Sequence, residues 1–154
     1  MNQKVQYEIL AFAFAAVLSA LIVLPIYFRV GGDYDYYVPN IFAVIVFVTF
    51  ARWIFLLRFS PFSRSNWFRF VLIFLPIPLF MYQIDSLLDF TAYIDEHGST
   101  GFFKDLIDPG NYAFARYIRY QFLFFSTGAL ITIVLLPVRM IRSFWRTVNT
   151  KDRV

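Results

Sequence analysis

The sequence predicts an all-α integral membrane protein: four transmembrane helices in an antiparallel bundle, N-in/C-in, with an interfacial helical hairpin in the second outer loop. Three observations carry this. The 154 residues are 60% apolar and 16% charged, with a mean hydropathy of +0.62, whereas a soluble domain runs nearer roughly 45–50% apolar and 25% charged. The charges leave four gaps close to the roughly 17–25 residues that a hydrocarbon core ~30 Å thick requires. The basic residues collect on alternate connections, as the positive-inside rule demands.

The first span, residues 9–28, lies between Glu8 and Arg29. Its apolar run exceeds the roughly 7–15 residues of a signal-peptide core, and no small-x-small site follows it, so it is read as retained. Ala11, Ala15 and Ser19 recur every four residues, with Ala16 and Ala20 beside them. Small residues at that spacing let helices approach closely. The first outer loop carries Gly31-Gly32-Asp33 for the turn and Tyr34, Tyr36 and Tyr37 for the headgroup layer.

The second span runs from about 38 to 57, with Arg52 inside it. Arg52 is read first as snorkelling to the nearby interface, next as pairing with Glu8, the acid beside the cytoplasmic end of the first span, and last as part of a ligand or proton path. The inner loop that follows, RFSPFSRSNWFR, is broken by Pro61 and its serines. So short a loop makes the second and third spans neighbours.

The third span, about 69–88, contains Pro76 and Pro78. Each removes a backbone donor, leaving the carbonyls of Leu72 and Phe74 without their usual partners, so a kink is expected. No polar side chain lies nearby in that span, which favours a packed kink over a binding site. The second outer loop, about 89–118, begins as a continuation of this helix. Gly98-Ser99-Thr100-Gly101 then breaks it, a short helix over 102–107 follows, and Asp108-Pro109-Gly110-Asn111 ends that. Its many aromatics read as a hairpin lying over the bundle.

The fourth span, about 119–138, places Ser126, Thr127, Gly128, Ala129 and Thr132 near its middle. Gly128 and Thr132, like Ala11, Ala15 and Ser19, are read as helix-packing positions, toward the chain itself or toward another subunit. Beyond Pro137 the sequence turns amphipathic over about 139–149. Met140, Ile141, Phe144, Trp145 and Val148 form one stripe; Arg139, Arg142 and Arg146 form another. This is read as a separate inner helix along the membrane surface, where Arg139, Arg142, Arg146 and Trp145 contact anionic lipid or a cytoplasmic partner.

Orientation follows from counting. With the N-terminus inside, ten of the fourteen basic residues are cytoplasmic, and eight of the ten acids are outside. At the outer edge, Asp85 and Asp89 are spaced i,i+4, and Arg116 and Arg119 i,i+3, at matching heights. Salt bridges between the two pairs are the leading expectation. An anionic headgroup on the arginines and an ion path are the alternatives.

No cysteine is present, so thiolate chemistry and disulfides are excluded, and the single His97 rules out multi-histidine zinc sites. Asp95-Glu96-His97 is read as an exposed helix end. No nucleotide-binding, hydrolase or zinc-protease motif occurs. No catalytic, cofactor-binding or metal-binding residue is therefore expected, and no cofactor. The functional expectation is a non-catalytic structural or assembly subunit of a larger membrane complex. Its partners are membrane lipids, with anionic lipid at the inner surface, and other membrane subunits; nucleic acid is not expected. A small oligomeric transporter or channel is the alternative, and a membrane enzyme acting on lipid at the outer face is the next. Alternating charge and short loops point to a bacterial inner membrane with both termini cytoplasmic.

Overall fold

The computed structural model describes residues 3–56, 66–98, 100–103 and 109–151, and its regular elements are all helices. They are α1 (Gln3–Val30), a 3-10 turn (Gly31–Asp33), α2 (Tyr37–Leu56), α3 (Asn66–Phe74), α4 (Pro76–His97) and α5 (Pro109–Lys151). Four segments are long and apolar enough to cross a membrane: Val5–Val30, Tyr37–Leu56, Phe70–His97 and Gly110–Arg146. The inner loop with Arg58 and Arg64, and residues 104–107 of the expected short helix, lie outside the described residues.

The helices outrun the uncharged gaps. α4 continues to His97 because Ser86, Phe90 and Ile94 keep a helical four-residue repeat on its buried face, past Asp85 and Asp89. Gly98 stops it, at a φ of +74° that an L side chain rarely adopts, with its N–H on the Ile94 carbonyl. α5 starts at Pro109 for the corresponding reason: Ala115 and Ile118 are buried ahead of the charge gap, in helical step with Phe122 inside it. The expected outer loop of about 89–118 thus shrinks to a short connection. The separate amphipathic helix is likewise corrected, since residues 139–149 continue α5 through Pro137 as one helix of 43 residues.

At the prolines the helix is divided by a single residue that keeps helical backbone angles. Leu75 sits between α3 and α4, its N–H on the Val71 carbonyl, and Pro76 opens α4. At that first position the missing N–H is one that the start of α4 would not use. The two short helices together make the third membrane-length segment.

α2 and α5 form the centre. About 39% of each of their apolar windows is buried, against 22% for α1 and 17% for the α3–α4 segment. α5 packs on α2, α3 and α4, while α1 packs on α2. Gly128 lets α2 and α5 close up: a Cβ there would lie 2.8 Å from the Phe47 ring. Around this contact, Ala43, Val46, Phe50, Trp53, Ala129, Ile133 and their neighbours form an apolar cluster. A second cluster, rich in aromatics, fills the end that carries the α1–α2 turn. Large apolar side chains such as Phe14, Leu21, Phe55 and Phe124 point outward. In a lipid surround that costs nothing, because the hydrophobic effect does not act between a helix and hydrocarbon.

Gly128→Leu should lower the stability of the purified protein by about 1–3 kcal/mol, the usual range for overpacking a close contact. Thermal unfolding in detergent measures it. Adding Phe47→Leu should return part of the loss.

Candidate functional site

The bundle has two chemically different ends. At the Glu8 end, α1 brings a carboxylate against α2. Arg52 donates from a guanidinium nitrogen to Glu8 Oε1, and Trp53 donates to the same oxygen from Nε1 at 2.9 Å. Glu8 is only 5% exposed, and its Oε2 has no hydrogen-bond partner among the described residues. Arg52 therefore turns inward to Glu8 instead of snorkelling. An unpaired charge at that depth would be far costlier than the same charge at an interface. Beside this pair, Arg139 donates from Nε to the Ile54 carbonyl at 3.1 Å. It thereby ties α5 to a carbonyl in the last described turn of α2. Arg139 thus leaves the basic stripe expected of it, whereas Arg142, Arg146 and Trp145 are exposed.

At the turn end, aromatic rings interlock. Phe90 of α4 stacks on Phe122 of α5 with centroids 4.0 Å apart, and Tyr36 meets both rings edge-on at 5.1 and 6.1 Å. Phe102 folds back from the connection to stack on Tyr93 at 4.8 Å, and His97 stacks on the same tyrosine. Arg29 lies over the Phe114 ring at 5.2 Å, and Tyr117 bonds the Ile22 carbonyl, so α1 is tied to α5 here.

The expected clasp between Asp85 and Asp89 on one side and Arg116 and Arg119 on the other does not form. All four side chains are exposed, and no ion pair joins them. The α4–α5 contact is made by Phe90 and Phe122, and each charged residue lies off that face. Solvent at the rim hydrates them well enough that pairing is not required. Asp89 instead lines an open groove of about 480 Å³ between α2 and α4, together with Asp35, Glu96, Pro39 and Ser86. The Tyr36 hydroxyl donates to the Asp89 backbone carbonyl at 3.2 Å, leaving the carboxylate to the groove.

The helix-packing positions divide. Ala15 and Ser19 are almost wholly buried and Ala11 is half-buried. Gly128 takes the Phe47 ring, and Thr132 donates within α5 to the carbonyls of Gly128 and Ala129. Pro76 is buried at the start of α4 and Pro78, two residues on, is exposed.

Sequence reasoning passed over Asn40, Gln83 and Gln121. Asn40 and Gln83 are completely buried, Gln121 nearly so. Neither amide atom of Asn40 or of Gln83 has a hydrogen-bond partner among the described residues, and the hydroxyls of Ser126, Ser19 and Tyr34 are in the same state. Each such group, left unpaired in an apolar interior, costs about 1–3 kcal/mol. Charge gaps do not register uncharged amides; a count of Asn and Gln within the spans would have found all three.

Burial pushes the Tyr34 hydroxyl far above the ordinary tyrosine range, with Tyr37 and Tyr36 adding to the effect and the neighbouring Asn40 amide opposing it. Tyr36 is raised too, first by burial and then by the Asp89 charge. No protein family, curated protein or solved structure matches the chain.

Two outcomes follow from these ends. Glu8→Leu and Arg52→Leu should each destabilise by about 3 kcal/mol, because each strands the other's charge. The double variant should lose clearly less than the sum, which a double-mutant cycle of unfolding free energies reads directly. At the turn end, a hydroxyl raised by folding stabilises fully below about pH 10, the unfolded tyrosine value, and progressively less above it. The melting temperature should therefore fall as the pH rises past that point, and Tyr34→Phe should flatten the fall while leaving neutral-pH stability unchanged or higher.

Proposed function

We propose that the chain is a non-catalytic structural or assembly subunit of a larger membrane complex, an antiparallel four-span bundle with both termini cytoplasmic in a bacterial-type inner membrane. The observation that carries this reading is the reach of α5. At ~1.5 Å per residue its 43 residues extend about 65 Å. A whole bilayer with headgroups is about 40–45 Å thick. The last uncharged residue of the span is Val138, so residues 139–151 carry the helix about 20 Å further. That extension exposes Ile141, Phe144 and Trp145 beside exposed Arg142 and Arg146.

An unbroken helical extension of α5 beyond its span is better suited to a partner than to the membrane surface. A helix that merely coats lipid lies in the interface plane, whereas this one is continuous with its own span. The exposed aromatics and arginines are the residue types that concentrate at protein interfaces. Other membrane subunits and anionic lipid at the inner surface are the partners this chemistry fits. The Glu8–Arg52 pair then serves as an internal brace that holds α1 and α2 beneath the docking helix.

A second reading, a small oligomeric transporter or channel, draws support from the buried amides of Asn40 and Gln83, polar groups that a purely structural bundle does not need.

Extraction from the native membrane in mild detergent should give co-migration with stoichiometric partners. Phe144→Ala with Trp145→Ala should abolish co-migration while the melting temperature of the isolated chain stays within a few degrees of the parent. A lone, monodisperse homo-oligomer of the unaltered chain would overturn the subunit reading in favour of transport.

A further inference from the structure

The aromatic contact at the turn end fixes three helices relative to one another. Tyr36, Phe90 and Phe122 meet at one level: Tyr36 stands at the entrance to α2, its carbonyl accepting the Asn40 N–H at 3.0 Å in helical register, and the other two rings come from α4 and α5. Moving toward the Glu8 end on the same helix faces is simple counting. Four residues on from Tyr36 is Asn40, four on from Phe122 is Ser126, and seven back from Phe90 is Gln83. Steps of four and seven return to the same side of an α-helix. The three residues therefore lie about 6, 6 and 10 Å below the rings, facing the same three-helix seam. The Phe42–Tyr82 ring pair, 4.9 Å apart, independently brings this stretch of α2 level with this stretch of α4.

All three residues are 0% exposed, and none of their polar side-chain atoms has a partner in hydrogen-bond geometry among the described residues, although the Tyr34 hydroxyl lies beside the Asn40 amide. Above them are stacked rings; below them is the apolar cluster of Ala43, Val46, Ala129 and Ile133. A carboxamide offers two donors and an acceptor with two lone pairs, and a serine hydroxyl one donor and two lone pairs. Polar atoms of both kinds, walled in by rings and aliphatic side chains, are the surroundings in which buried water is retained, each molecule making about two to four hydrogen bonds.

We propose that Asn40, Gln83 and Ser126 form an internal water-binding site at the α2–α4–α5 seam. Water is the guest of choice because it both donates and accepts, and because the enclosing rings leave these side chains no exposed surface for anything larger. The supply is close at hand. Ser86, one turn from Gln83, and Pro39, next to Asn40, both line the open acidic groove between α2 and α4. Water thus enters from the turn end and stops at the apolar cluster, which makes the site a hydrated pocket closed on its inner side. This assignment is independent of the subunit reading above.

The test is water-edited solid-state NMR on the full chain in lipid bilayers, with the Asn40 and Gln83 side-chain amides isotopically labelled. Asn40→Leu and Gln83→Met, both close in size to the parent residues, assign the two signals by their loss. Magnetisation should build up from water onto both amides at a rate near that of the exposed Gln3 side chain. In Gln83→Met the Asn40 amide should keep its transfer, because water and not Gln83 is its partner. Build-up as slow as that of the Phe50 and Ile133 backbone amides in the dry cluster would overturn the proposal. So would transfer to Asn40 that vanishes in Gln83→Met, since the two amides would then be bonded to each other. Should a variant not fold, residue-selective labelling of the parent chain gives the same two build-up rates.

Discussion

The close approach of α2 and α5 at Gly128 is the contact around which everything else is arranged. A helix pair in a lipid surround gains little from hiding apolar surface, so it is held by dispersion across well-matched faces and by the few polar bonds available. The Phe47 ring seated over Gly128 gives the first of these. Arg139 on the Ile54 carbonyl gives one of the second. With α2 and α5 locked, α4 can dock through Phe90 and α1 through Glu8, and neither needs a large buried face of its own.

The two ends of the bundle solve the problem of polar groups in opposite ways. At one end a buried carboxylate is met by a guanidinium and an indole N–H, so charge is neutralised locally. At the other the acids stay at the rim in solvent, and the interior is closed by rings. Between them lies the seam of Asn40, Gln83 and Ser126, where the polar atoms have neither arrangement. The contrast explains why a single-helix view of the sequence finds the charged sites and misses the amides. Charges disturb hydropathy strongly, whereas one amide inside a run of leucine and phenylalanine hardly changes it.

The existence of four membrane-length apolar helices was legible from the charge gaps, because the cost of a charge in hydrocarbon is large enough to punctuate a sequence. Their ends were not. Phe90, Ile94, Ala115 and Ile118 keep a helical repeat well past the charges, and continuity of a buried face outweighs the boundary that Asp85, Asp89, Arg116 and Arg119 seem to draw. Heights alone suggested a clasp between those four residues. Height is only one of two coordinates on a helix, and their angular positions set them off the contact face.

What the sequence by itself determined is the medium and the number of crossings. Both follow from the transfer free energy of side chains, which is a property of each residue wherever it sits. What only the tertiary structure decided is which residues meet, Arg52 with Glu8 and Arg139 with the last turn of α2, and that Asn40 and Gln83 are wholly buried. Those outcomes depend on the rotation of each helix about its axis. That rotation is set jointly by all the faces that pack, so no single segment contains it.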